Sequence, residues 1–175
     1  LCLIIGFTTD ENVLIRILCH RSGQQRLEIK RTYKQMTGDN LEKVIEQRTR
    51  GDFQKVLVRL VKAPVELAAY ELHNAIAGLG TDEDCLVEII CTDSDEFLKA
   101  VKAKYHERKT KLTVVHLIMH FELFNHGAVY GRSLEGDVAG DTSGYFRKLL
   151  VALLNCNRPV DEEQIHKEAA YRDAQ

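Results

Sequence analysis

The sequence predicts an all-α fold made of repeated helical units, and three observations carry that expectation. The segment Gly6-Phe-Thr-Thr-Asp-Glu-Asn-Val-Leu-Ile-Arg-Ile-Leu-Cys19 recurs 72 residues later as Gly78-Leu-Gly-Thr-Asp-Glu-Asp-Cys-Leu-Val-Glu-Ile-Ile-Cys91, unchanged at seven of fourteen positions. Self-similarity at so long a period marks repeat architecture. Apolar residues follow helical spacing nearly throughout. Only two prolines interrupt the chain, Pro64 and Pro159, each just past an apolar block where a helix stops.

The offset of 72 holds through Lys30/Lys102 and Tyr33/Tyr105, then becomes 93 at Gly38/Gly131, Leu41/Leu134 and Glu42/Glu135. It stays at 93 where Gly51-Asp-Phe-Gln-Lys-Val-Leu-Val-Arg-Leu60 matches Gly144-Tyr-Phe-Arg-Lys-Leu-Leu-Val-Ala-Leu153. The second unit therefore carries 21 extra residues, placed at Arg108 to Ala128.

In the second unit, Val65, Ala68, Ala69, Leu72, Ala75 and Ile76 form one stripe of a first helix that stops at Gly78. Thr81 offers a hydroxyl N-cap to the next, with Asp82, Glu83 and Asp84 in its first turn and Leu86, Ile89 and Ile90 facing inward. A third helix starts at Ser94 or Asp95 and runs to about His106, with Phe97, Leu98, Val101 and Tyr105 as its apolar residues. A short fourth begins at Arg132 or Ser133 and breaks near Gly140, and a fifth, strongly apolar, covers Ser143 to Leu154.

The first unit repeats this plan from Thr9 to Val61, with its first helix reduced to Leu1–Ile5. A further capped helix opens at Asp161 and runs toward Gln175. The expected domains are residues 1–63, 64–158 with the insertion at 108–128, and 159–175. Such a chain reads as a piece of a longer array cut at both ends, because terminal units otherwise carry polar caps.

At 175 residues with 45% hydrophobic and 29% charged content, the chain can bury a real core. Five cysteines without a CxxC pair suggest reduced thiols in a cytosolic protein, mostly core filler, and no zinc site. A net charge of −2 without a basic run argues against nucleic acid, and against direct attraction of lysines to an acidic bilayer. The longest apolar stretch, Leu112 to Phe124, is too short to span a membrane. No signal peptide is seen, although an opening Leu1 in place of Met leaves room for a targeting segment upstream.

The chemistry concentrates between the first and second helices of unit two. Gly78 and Gly80 let successive backbone carbonyls turn outward toward one point. Hard cations want such oxygens, and calcium takes about six to eight of them, so a carboxylate from elsewhere is needed. Asp141, at the break between the fourth and fifth helices, is the natural supplier. In an antiparallel bundle both loops fall at the same end.

The residues Gly78-Leu-Gly-Thr-Asp-Glu83, Gly140-Asp-Thr-Ser-Gly-Tyr-Phe146 and Asn155-Cys-Asn-Arg158 resemble the annexin family. The likeness spans most of the chain outside Arg108 to Ala128 and the first few residues. It implies right-handed bundles of about five helices per unit. In that family Gly-x-Gly-Thr is followed about forty residues later by an acidic residue; here Gly80 to Asp141 spans 61 residues, or 40 without the insertion. By that resemblance the carbonyls of Ile76, Gly78 and Gly80 and the carboxylate of Asp141 hold the main calcium ion, while the Thr81 carbonyl and Glu83 side chain form a weaker neighbouring site. Unit one departs from the pattern: Thr8 replaces the second glycine and Arg48 stands opposite Asp141. No main site is expected there, and Glu46 reaches in only if the loop shifts.

The implied activity is calcium-dependent binding to acidic, phosphatidylserine-type phospholipids on the cytosolic face of membranes when calcium is raised. The rival reading is a calcium-independent helical scaffold that kept the bundle but lost the ion, with protein partners at exposed apolar faces. A third is a truncated product with no stable fold. No catalytic constellation stands out, so no enzyme is expected. Within the insertion, His116 and His120 have zinc-like spacing, but neither His126 nor Glu122 fixes a third ligand. The insertion itself reads as aberrant splicing or gene-model read-through, with a genuine extension of the third helix as the rival. Arg50-Gly51-Asp52 spells an integrin-type tripeptide by chance, since it aligns with the start of a core helix.

Overall fold

The computed structural model describes residues 10–78, 80–119 and 133–158, together with 172 and 174. Among them lie nine α-helices and no strand: α1 Glu11–Cys19, α2 Gly23–Thr37, α3 Leu41–Arg48, α4 Gly51–Leu60, α5 Pro64–Ile76, α6 Glu83–Thr92, α7 Asp95–Met119, α8 Leu134–Asp141 and α9 Gly144–Leu154. They fall into two compact units, Leu1–Ala68 and Ala69–Gln175, with the division inside α5. No described helix is long and apolar enough to cross a membrane. The Leu1–Ile5 remnant, Thr8, Pro159, His120, Glu122 and His126 lie outside the described residues, as does the helix expected from Asp161 apart from residues 172 and 174.

Unit 1 shows how the sequence dictates each element. Asp10 caps α1 by accepting from the Asn12 and Val13 amides at 3.0 and 3.3 Å, and Leu14 and Leu18, one turn apart, face the core. Ser22 and Gln25 exchange reciprocal bonds that open α2, which closes at Gly38 with φ of 79°. The core gathers Leu14, Leu18, Tyr33, Leu41, Ile45, Leu57, Val58 and Val61. Pro64 opens α5 at a position where a missing amide costs nothing.

Unit 2 repeats this core at seven of its eight positions, Val151 being half-buried where Val58 is buried. Leu86, Ile90, Tyr105, Leu134, Val138, Leu150 and Leu154 are its buried counterparts at the two offsets. The match reaches polar detail. Thr49 and Thr142 are buried where α3 and α8 end, and each hydroxyl donates to the carbonyl four residues back, at 2.7 and 2.6 Å. Gln54 Nε2 donates to the Thr49 carbonyl and Arg147 Nε to that of Thr142, both at 2.6 Å. The Gln54 and Arg147 bonds satisfy cap carbonyls that a helix end leaves unpaired.

Each unit also ties its long helix to the next by an ion pair, Lys30–Glu42 in unit 1 and Lys102–Glu135 in unit 2, and Lys62 adds a second cation to Glu42. Burial pushes the Glu42 carboxyl up, but the bonds from Lys30 and Lys62 outweigh it and hold it below its ordinary 4.5. Glu135 is lowered in the same way, burial being outweighed chiefly by Lys102. A depressed folded pKa means stability that is whole above the ordinary glutamate range and is lost as pH falls through the folded values. The urea midpoint is therefore expected to drop below pH of about 4.5. A Glu42→Gln, Glu135→Gln variant should start about 1 kcal/mol per pair lower at pH 7 and show a flatter acid limb.

Three expectations need correction. Thr81 does not cap α6; Asp82 does, accepting from the Cys85 amide at 3.0 Å, because the Thr81 hydroxyl is engaged elsewhere. The third helix of unit 2 does not end near His106 but continues as α7 to Met119. Its twin stops at Gly38, whereas the matching Gly131 is displaced by the insertion, and residues 107–119 contain neither glycine nor proline to stop a helix. The Lys104–Glu107 pair at 2.8 Å supports the extension. The described cysteines are free thiols, but only Cys156 is buried, while Cys85 and Cys91 are half-buried and Cys19 is exposed. Leu14 and Leu18 already fill the inward stripe of α1, which turns Cys19 outward.

Candidate functional site

Helix α5 ends at Ile76, and the chain then passes through Gly78 and Gly80 with φ of 153° and 92°. Side chains rarely tolerate such backbone, so glycine is required at the second position in particular. The Asp82 amide donates to the Ala75 carbonyl at 2.9 Å, tying the foot of α6 to the last turn of α5.

On the far side of the sequence, α8 runs from its Ser133 cap to Asp141, so Asp141 is the last helical residue. The Thr81 hydroxyl donates to the Asp141 backbone carbonyl at 3.0 Å across 60 residues. The loop after α5 and the end of α8 thus meet at one end of unit 2. Thr81 and Asp141 touch directly; Gly78 and Gly80 precede Thr81 in the chain, Glu83 opens α6 and Ile76 closes α5.

The side chains exposed at this end are mostly acidic. The C-termini of α5 and α8 meet the N-termini of α6 and α9 there, so the helix partial charges largely offset one another. Exposed Asp82, Glu83, Asp84 and Asp141 add carboxylates, and the last turn of α8 holds no basic residue. Among the described residues no group of three or more His, Cys, Asp or Glu side chains is placed to hold a metal. A cation held here therefore needs backbone carbonyls for most of its ligands. Oxygen donors on an exposed turn fit a hard ion such as calcium rather than zinc or copper.

Unit 1 ends α3 with Arg48 at the position of Asp141, which places a positive charge in the last helical turn. That suits the helix dipole and opposes a divalent ion.

Sequence reasoning missed two features of this end. The Tyr105 hydroxyl donates to Asp137 Oδ2 at 2.8 Å, tying α8 to α7 one turn before Asp141. Burial, then this bond, and last the Asp141 charge push the phenol well above its ordinary pKa. Unit 1 has Val44 where Asp137 stands, so comparing the repeats was the available signal. The other is Tyr145, just past the α8–α9 turn and 87% exposed.

Comparison with known proteins agrees with the all-helical repeat fold. The annexin family model matches residues 3–60 and 67–111, more than half of the chain. Annexin A13 of Mus musculus is 38% identical over 169 residues, covering 97% of this chain and 46% of its own length. Annexin A5 of Homo sapiens is 37% identical over 168 residues, covering 94% and 46%. The chain thus spans about half the length of these relatives. Among solved structures, annexin III superposes with a TM-score of 0.81 at 31% identity over 99% of this chain and 47% of its own. A calcium-bound annexin (Sm)1 superposes with 0.72 at 29% identity over 97% and 44%. With its core written twice and its glycine loop set against the end of α8, the chain belongs to the annexin family.

Proposed function

We propose that unit 2 binds calcium at the Gly78–Glu83 loop and Asp141, and through the ion docks on acidic phospholipid membranes. The observation that carries this reading is the Thr81–Asp141 bond, which sets the glycine loop against the residue that must supply the carboxylate. The carbonyls of Ile76, Gly78 and Gly80 with the Asp141 carboxylate are the proposed main ligands, and Thr81 and Glu83 the neighbouring ones. A relative of 29% identity has been solved in calcium-bound form, which supports the choice of ion. Bound calcium supplies the positive charge that a protein of net charge −2 lacks, so lipid phosphate and carboxylate groups complete its open positions. The proposed setting is the cytosolic face of a membrane, phosphatidylserine-type lipids are the proposed partners, and the role is binding rather than catalysis.

For unit 1 the scaffold reading is favoured by one observation, Arg48 at the end of α3. We assign it no main ion site.

Sedimentation with phosphatidylserine-containing vesicles tests the proposal. With calcium the chain is expected in the pellet, and with a chelator in the supernatant. Equal partition in both tubes would leave the scaffold reading for the whole chain.

A further inference from the structure

Unit 2 exposes an aromatic ring beside the end that holds the glycine loop. Tyr145 is the second residue of α9, and 87% of its surface is open to solvent. Lys148 lies over the ring, its Nζ 5.2 Å from the centroid. Leu149, one turn on, is 54% exposed. An apolar strip with a cation at its edge is the pattern of side chains that settle at the headgroup level of a bilayer, where one end is dry and the other wet.

Unit 1 provides an internal comparison. The offset that sets Arg48 opposite Asp141 sets Asp52 opposite Tyr145 and Lys55 opposite Lys148. There the lysine meets a carboxylate, Lys55 Nζ to Asp52 Oδ1 at 2.9 Å, and the Asp52 side chain is 93% exposed. The aliphatic neighbour persists, since Val56 is exposed to the same 54% as Leu149. So the aromatic ring occurs in the unit whose fourth helix ends in a carboxylate. The unit whose equivalent helix ends in arginine carries a surface aspartate instead, which an anionic bilayer repels.

We propose that Tyr145, with Lys148 over its ring, seats unit 2 in the headgroup layer of an acidic bilayer, an inference that rests on the calcium-bridged docking proposed above. The ring passes between headgroups, its hydroxyl stays at the polar level, and Lys148 turns to lipid phosphate. A lipid surface is the occupant because Tyr145 stands four residues from Asp141, at the end where the proposed ion meets the membrane.

The chain has no tryptophan, so Tyr145→Trp installs a single reporter in it. With calcium and phosphatidylserine–phosphatidylcholine vesicles its emission is expected to shift to the blue and to be quenched by lipids brominated near the top of the acyl chain, with a chelator reversing both. Tyr145→Asp, which gives unit 2 the residue of unit 1, should raise the calcium needed for half-maximal sedimentation roughly fivefold, as partial burial of one ring implies. If Tyr145→Trp sediments with calcium while its emission stays that of the free protein, the anchor is overturned and the calcium bridge stands. If the wild-type chain itself fails to sediment, the bridge fails and the anchor falls with it.

Discussion

Asp141→Ala is expected to abolish calcium-dependent sedimentation while leaving the fold in place. The carboxylate is the one charged ligand assigned to the main ion, and calcium affinity follows the charge of its ligands closely, so the calcium requirement should rise by roughly 100-fold or more. The substitution is clean because the structural work at this position is done by the backbone. Thr81 donates to the Asp141 carbonyl, which alanine retains, and the Asp141 side chain is exposed. The thermal midpoint of the variant in the absence of calcium should therefore match the wild type. Asp141→Asn, which keeps an oxygen but removes the charge, belongs between the two. Unaltered sedimentation of Asp141→Ala would remove this residue from the site.

Leu86→Ala should be among the most damaging single truncations in unit 2. Leu86 is 0% exposed on the inner face of α6, which packs against α9. Deleting a buried leucine side chain removes its transfer energy and leaves a cavity, about 2–5 kcal/mol in all. Set against total stabilities of about 5–15 kcal/mol, that is enough to bring the unit close to unfolding. Val87, next along the same helix, is 42% exposed, so Val87→Ala should stay within about 0.5–1 kcal/mol. Urea unfolding followed by circular dichroism separates the two. Equal losses at both positions would mean that α6 does not present its face as described.

The repeat explains why so much of the core was legible. Once the offsets of 72 and 93 were established, Leu14 and Leu86, Tyr33 and Tyr105, and Ile45 and Val138 could be read as equivalent inward positions, and all are buried. Apolar periodicity reports a face of a helix, and burying a face is what tertiary packing does with it. The same comparison exposed Arg48 as the departure in unit 1.

What the sequence could not settle were choices made by distant partners. The Thr81 hydroxyl had two outlets, the amides of its own helix or a carbonyl 60 residues away, and only the packed unit decides between them. Once it turned to Asp141, Asp82 took the cap. The end of α7 was misread for a related reason: the stop signal used by α2 at Gly38 had been carried downstream by the insertion. Tyr145 went unnoticed because an aromatic beside Phe146 in an apolar helix reads as core until its exposure is known.

The most direct measurement is a crystal structure of this chain grown in calcium. An ion should appear at the main site of unit 2, with the Asp141 carboxylate and the carbonyls of Ile76, Gly78 and Gly80 at about 2.3–2.6 Å, and none beside Arg48. A density map in which the Asp141 carboxylate turns away from an empty glycine loop at saturating calcium would contradict the account.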